Sequence, residues 1–234
     1  MPSVVDQGEW TNCSVVERYI VSLLYDGNVR IFRTLCGSDG NNAYLAVCPE
    51  TAESIIIDAP LSPEGLLEDA QNTTVVAILI THQHRDHWEG LSVIRTHIDA
   101  PVGMHESDTA SVPFIPDFWV ADGSVIRAGS IDLITIHTPG HTGGSVCFWH
   151  TGHLFTGDTL YSGGPGESSG PEATRQILDS ITRKLYTLPE DTLVYPGHGH
   201  HSVLEVPKRE YAIYRGEYPE IFPSIPSTNG GQGN

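Results

Sequence analysis

Two sheets packed face to face, with helices on the outside, are the fold class that the sequence predicts. Three observations lead to this α/β, or more strictly α+β, arrangement. Apolar runs of strand length recur between clusters of turn residues. The first of these runs are joined by turns too short for a crossover, which implies antiparallel pairing. Strands followed by a helix then occur twice along the chain, so each sheet has a helical partner.

Taken in order, residues 1–28 carry a weak apolar pattern (Val15, Val16, Tyr19, Ile20, Leu23, Leu24) whose spacing suits helix or strand, and they are expected to pack on the domain as an N-terminal segment. Residues 29–35, 43–47 and 54–58 read as strands divided by the turns CGSDGNN and CPETAE. A short helix is expected over 63–70, with Ser62 as cap and Pro63 at its first position. A buried strand at 75–80, a helix at 88–97 and a strand at 101–104 follow. Pro113 and Pro116 make 109–119 a loop, whose Phe114, Phe118 and Trp119 are available to pack or to wall a cleft.

A β-rich run comes next, with strands over 124–127, 131–137, 145–149 and 153–155. Ile177, Leu178, Ile181 and Leu185 recur at spacings of three and four and predict a helix over 172–186. The last strand is placed at 192–195. The main domain is therefore expected to span 29–206, and 207–234 to hold a short helix and a disordered tail.

Composition narrows the function. Hydrophobic residues at 39% and charged ones at 18% describe an ordinary globular protein. No apolar run approaches the roughly 20 residues of a membrane helix, so no membrane partner is expected. The opening MPSVVDQGEW has no basic stretch leading into an apolar one, which makes the cytoplasm the default location. Cys13, Cys36, Cys48 and Cys147 are too scattered for a metal knuckle or a disulfide framework and read as small buried residues. A net charge of -17 repels phosphate backbones and argues against nucleic acid.

The chemistry concentrates in THQHRDHW, directly after the buried strand at 75–80. Alternate residues of an extended chain point the same way. His82 and His84 can thus reach one cation, and the turn after Arg85 lets Asp86 and His87 reach a second. Imidazole and carboxylate are the donors that zinc and similar cations take. Desolvating four such side chains without a cation to hold would be costly. Three further turns present donors just past apolar strands: His141 in HTPGHTGG, Asp158 in FTGDTL and His198 in YPGHG. His105, His137, His150, His153, His200 and His201 lack such companions and read as structural or solvated.

THQHRDH, HTPGHTGG, FTGDTL and YPGHG, in this order, resemble the signature of the metallo-β-lactamase superfamily, with Asp58 at a strand end as its first element. The resemblance implies a four-layer αββα sandwich with the site at the sheet edges. It further implies that His82, His84 and His141 hold one divalent metal ion, that Asp86, His87 and His198 hold the other, and that Asp158 bridges them. Zinc is the first choice of metal, with iron or manganese as alternatives, and Asp58 would steady the ligand loop.

Asp158 sets the chain apart from authentic β-lactamases, and HTPGHTGGSVCF and LFTGDTL are most similar to glyoxalase II and its relatives. Where that branch has a basic segment after the aspartate, this chain has Gly163, Gly164, Pro165, Gly166 and Glu167, with no arginine. The stretch after His198 also leaves no room for the basic helical extension that grips glutathione, which points away from a glutathione thioester.

The expected activity is hydrolysis of a thioester or lactone of a small molecule by a hydroxide shared between two metals. Asp86 would orient that hydroxide, and Tyr161 would stand where lactonases of this superfamily contact the substrate carbonyl. The alternatives are an iron-dependent persulfide dioxygenase, using His82, His141 and Asp158, or an acyl-homoserine lactonase or β-lactamase-like activity. A monomer or a homodimer is expected.

Overall fold

The computed structural model describes residues 21–38, 40–217 and 224–225. Its strands are β1 (Val21–Asp26), β2 (Arg30–Cys36), β3 (Asn41–Val47), β4 (Glu53–Ile57), β5 (Thr74–Leu79), β6 (Val102–Met104), β7 (Phe118–Trp119) and β8 (Val125–Ala128). These are followed by β9 (Ile131–His137), β10 (Val146–His150), β11 (His153–Gly157), β12 (Leu160–Tyr161), β13 (Gly164–Pro165), β14 (Leu193–Pro196) and β15 (Ser202–Val203). The α-helices are α1 (Glu64–Ala70), α2 (Leu91–Ile94), α3 (Pro171–Ser180) and α4 (Glu205–Glu217).

One sheet has seven strands in the order β1 to β7, and the other has six in the order β15-β14-β11-β10-β9-β8. The early hairpins from β1 to β4 are antiparallel, as their short turns require, whereas β4–β5, β5–β6, β6–β7 and β11–β14 run parallel.

The layers follow from strand alternation. On β4, Ile55 and Ile57 enter the core between the sheets while Ile56 faces outward. The inter-sheet core joins Ile31, Tyr44, Ala77 and Leu79 to Leu133, Phe148, Phe155 and Tyr195 of the other sheet. Outside the first sheet, Leu45, Ile56 and Ile78 pack on Leu66 of α1 and on Leu91 and Ile94 of α2. Outside the second, Cys147, Leu154 and Val194 pack on Ile177 and Leu178 of α3 and on Tyr211 of α4. Both outer faces are therefore apolar and covered, which is the expected αββα sandwich.

Several elements depart from expectation. The helix at 88–97 contracts to α2, preceded by a 3-10 turn over Arg85–His87. Its backbone is diverted there: Ala59 N donates to His87 O at 2.8 Å and Gly90 N to Ala59 O at 2.9 Å, which docks the ligand loop on the end of β4. The loop at 109–119 begins within a 3-10 helix, Glu106–Ser111, and ends in β7. Val102 N donates to Asp117 Oδ2 and Asp117 N to Val102 O, so the segment adds an edge strand that its prolines keep short. After α3 the helix widens into a π-helical turn over Ile181–Leu185.

β1 resolves the open reading of Leu23 and Leu24 as strand; Val15, Val16, Tyr19 and Ile20 lie outside the described residues, as does nearly all of the expected tail. Cys36, Cys48 and Cys147 are free and buried, and Cys13 lies outside the described residues. Among the described residues no helix is long and apolar enough to cross a membrane.

Candidate metal centre

One edge of the sandwich gathers the donors because four chain segments leave their sheets there. β5 ends at Leu79 and delivers Thr81, His82 and His84; the β9–β10 turn delivers His141; β11 delivers Asp158; and β14 delivers His198. Val146 N donates to Thr81 O at 3.0 Å and ties the two sheets together at this edge.

The donors form three overlapping groups: His82, His84 and His141; His82, His87 and Asp158; and Asp86, His87 and His198. In the first group His82 Nε2 is 3.0 Å from His84 Nδ1 and 3.2 Å from His141 Nε2, and the latter two are 2.9 Å apart. In the last, Asp86 Oδ2 lies 3.2 Å from His198 Nε2 and 3.6 Å from His87 Nε2. Asp158 faces both sides. Its Oδ2 is 4.0 Å from His82 Nε2 and 3.6 Å from each of His141 Nε2 and His198 Nε2, and its Oδ1 is 3.4 Å from His87 Nε2.

Three features of this set fit cations. Nitrogens bound at about 2.0 Å around a tetrahedral zinc stand about 3.3 Å apart, close to the separations in the first trio. Burial, and then the neighbouring His87, hold His82 well below the usual imidazole range, and burial and His141 lower His84, so both rings favour the neutral form that can ligate a cation. His87 Nε2 and Asp158 Oδ1 are buried and make no hydrogen bond; they face each other at 3.4 Å, an arrangement that a cation held between them would complete.

The opposite ring nitrogens are anchored, which fixes ring orientation. His141 Nδ1 lies 2.7 Å from Glu167 O, and His82 Nδ1 lies 3.1 Å from Thr81 Oγ1. His87 Nδ1 lies 2.8 Å from Asp58 Oδ2. Asp58 also accepts from Thr81 N at 2.8 Å and Thr81 Oγ1 at 2.9 Å, so one buried carboxylate fixes the root of the loop. Burial opposes protonation of His87, yet Asp58 and Asp158 on either side outweigh it and push the imidazole up to about 10. Burial likewise opposes ionisation of Asp158, but His87, His82 and His198 together hold its carboxyl far below the usual range. At Asp86, burial is outweighed by the Asn41 hydrogen bond and by His87, which keep it ionised.

All seven donors predicted from the sequence meet at this edge. Tyr161, at the end of β12, is partly buried beside them; burial first and the Asp158 carboxylate second raise its phenol far above the ordinary value, so it remains a protonated donor. Phe114, Phe118 and Trp119 separate. Phe114 stacks edge-on against Trp88 at 5.7 Å and lines a cleft of about 310 Å³ with Trp88, Leu91 and Pro113. Phe118 packs into the inter-sheet core, and Trp119 is exposed. His153 is anchored to Tyr195 Oη at 3.0 Å, and the His105 and His137 rings stack at 4.0 Å.

Sequence reasoning missed several supports. Asn41 Nδ2 donates to Asp86 Oδ2 at 2.8 Å. Asn42 Nδ2 donates to Pro196 O at 2.8 Å and to Gly199 O at 2.9 Å, and so clamps the His198 turn to β3. Gly197 leaves room where a Cβ would stand 2.3 Å from Asp158 Oδ1 and 2.5 Å from His87 Cε1. The glycine between proline and histidine was a visible signal of such a close approach.

An αββα sandwich carrying this His/Asp edge cluster defines a class, and comparison with protein families gives the same answer: residues 36–198 match the Metallo-beta-lactamase superfamily, to which this chain belongs. Within it, the curated relatives include a hydroxyacylglutathione hydrolase of Polaromonas sp., 35% identical over 164 residues, covering 68% of this chain and 62% of the relative. The hydroxyacylglutathione hydrolase of Rhodospirillum rubrum is 36% identical over 162 residues, with the same two coverages of 68% and 62%. This chain thus spans less than two thirds of the length of these hydrolases. Among solved structures, the BLEG-1 B3 metallo-beta-lactamase is 27% identical with a TM-score of 0.67, over 75% of this chain and 94% of that one. TTHA1623 in a di-iron-bound form is 28% identical with a TM-score of 0.65, over 76% and 98%.

Proposed function

We propose that this chain is a metal-dependent hydrolase that opens the carbonyl bond of a small thioester or lactone. The observation that carries this reading is the pair of trios, His82, His84, His141 and Asp86, His87, His198, with Asp158 facing both and two of the buried donor atoms making no hydrogen bond. These seven residues would hold two divalent cations, zinc foremost and iron or manganese as alternatives. When bound, such cations would acidify a water and polarise a carbonyl oxygen.

The remaining work falls to the protein. Asp86, kept ionised and aimed by Asn41, accepts a hydrogen bond from the attacking water and orients it. Tyr161, protonated and beside Asp158, donates to the oxygen on which charge develops when the carbonyl carbon becomes tetrahedral. Asp58 and Thr81 keep the ligand loop rigid, so the geometry exists before substrate arrives. The kinship with hydroxyacylglutathione hydrolases supports thioester chemistry. Exposed Glu167, in a segment without arginine, favours a neutral acyl compound over an anionic thiol carrier. A cytoplasmic protein, monomeric or dimeric, suits this role.

Elemental analysis of the purified protein, combined with a panel of thioesters, lactones and β-lactams, tests the reading. About two metal equivalents per chain and hydrolysis that disappears in Asp158→Ala are expected. Full activity with both metals retained in Asp158→Ala would reject the role of Asp158. One iron per chain, with oxygen uptake on a glutathione persulfide, would replace the hydrolase with the oxygenase reading.

A further inference from the structure

Asp108 is an almost fully buried carboxylate, 1% exposed, carried by the 3-10 helix Glu106–Ser111. It contributes nothing to the donor groups. Its oxygens nevertheless go to the two segments that flank the first trio. Oδ2 accepts from Gln83 N at 2.9 Å and from Thr142 Oγ1 at 2.7 Å, and Oδ1 accepts from Gly144 N at 2.7 Å. Gln83 stands between His82 and His84, and Thr142 directly follows His141. A Cβ at Gly144 would lie 2.6 Å from Asp108 Cγ, so the second glycine of HTGG is the residue that lets this carboxylate approach. Ser145 Oγ accepts from Thr142 N at 3.0 Å and holds the same turn from its other side.

We infer that Asp108 is a positioning residue that sets the spacing between the His82 and His84 loop and the His141 turn, and so selectively tunes the cation site of the first trio. This inference rests on the proposed metal-dependent function. The two segments belong to different sheets, and a buried carboxyl group shared between the backbone amides of Gln83 and Gly144 is a short brace across them. The other side of the centre is braced elsewhere, by Asn41 on Asp86, Asp58 on His87 and Asn42 on the turn that carries His198. Loss of Asp108 should therefore split the two sites.

The test is a Co2+ titration of the metal-free full chain, followed by visible absorption, with melting of the metal-free protein measured alongside. Asp108→Asn and Asp108→Ala should weaken one of the two binding steps by about ten-fold or more, the range seen when a ligand's outer partner is lost. The other step should stay as in the wild type. Thr142→Val, which removes one donor and keeps the shape, should weaken the same step by less. In a His141→Ala background, which disables the first trio, Asp108→Asn should leave the remaining step unchanged.

Should Asp108→Ala fail to fold, Asp108→Asn and Thr142→Val decide by the same criterion. Equal weakening of both steps, together with a lower melting temperature, would mark a structural role and overturn the inference; two steps identical to wild type would also overturn it. A wild-type chain that takes up no divalent cation would reject the proposed function, and this inference with it.

Discussion

Asp58→Ala is the perturbation whose cost can be worked most fully. Asp58 is 2% exposed and accepts three hydrogen bonds, from Thr81 N, Thr81 Oγ1 and His87 Nδ1. After the substitution, Thr81 Oγ1 can turn to His82 Nδ1, which already lies 3.1 Å away. Thr81 N–H and the His87 ring N–H have no such alternative, and each buried unsatisfied donor costs about 1–3 kcal/mol. Asp58 also has a φ of 62°, a region that aspartate tolerates and where alanine adds about 1 kcal/mol. The sum is about 3–7 kcal/mol, in line with the cost of breaking a buried charged pair.

For a chain of this size the midpoint of that range lowers the melting temperature by about 10–20 °C. Circular dichroism melts of the metal-free protein measure it, with Asp58→Asn as a milder comparator. Metal titration should show the His87 side weakened by about ten- to a hundred-fold. A melting shift under about 3 °C, less than ~2 kcal/mol on this scale, with metal binding unchanged, would refute the reasoning that one carboxylate secures the loop.

Tyr161→Phe should lower kcat about a hundred-fold while metal content stays the same; unchanged kcat would leave Tyr161 a packing residue. Gly197→Ala places a methyl group 2.3 Å from Asp158 Oδ1, so cation affinity should fall more than about ten-fold with the circular dichroism spectrum preserved. His153 gives a pH prediction. Burial first, then nearby His150, pushes its imidazole down to about 4, below the unfolded value near 6.5. A depressed folded pKa means that the stability it contributes is complete above about pH 6.5 and is lost as the pH falls from there through about 4. Melts of the metal-free chain over that window should show a steeper loss for the wild type than for His153→Gln, and equal slopes would contradict the assignment.

The donors were legible in the sequence for a physical reason. A ligand must leave a rigid strand end, and the apolar run before THQHRDH, like those before His141, Asp158 and His198, announces such an end. The central strands were legible because burial on alternate faces imposes a period. What escaped was set by contacts between distant segments. Asn41, Asn42 and Asp108 support the centre through partners 25 to 157 positions away, and no local pattern distinguishes them from ordinary turn or helix residues. Strands β7, β12, β13 and β15 have two residues each, too few to show any alternation. The helix expected from residue 88 starts only at Leu91 because Ala59 engages His87 O and Gly90 N, the backbone groups at its head.

The most direct test is anomalous diffraction from crystals of the protein loaded with zinc or manganese. Two cations about 3.5–4 Å apart are predicted, one against His82, His84 and His141, the other against Asp86, His87 and His198, with Asp158 reaching both. Cations bound away from these residues, or a fully loaded centre in which Asp158 touches neither ion, would contradict the account.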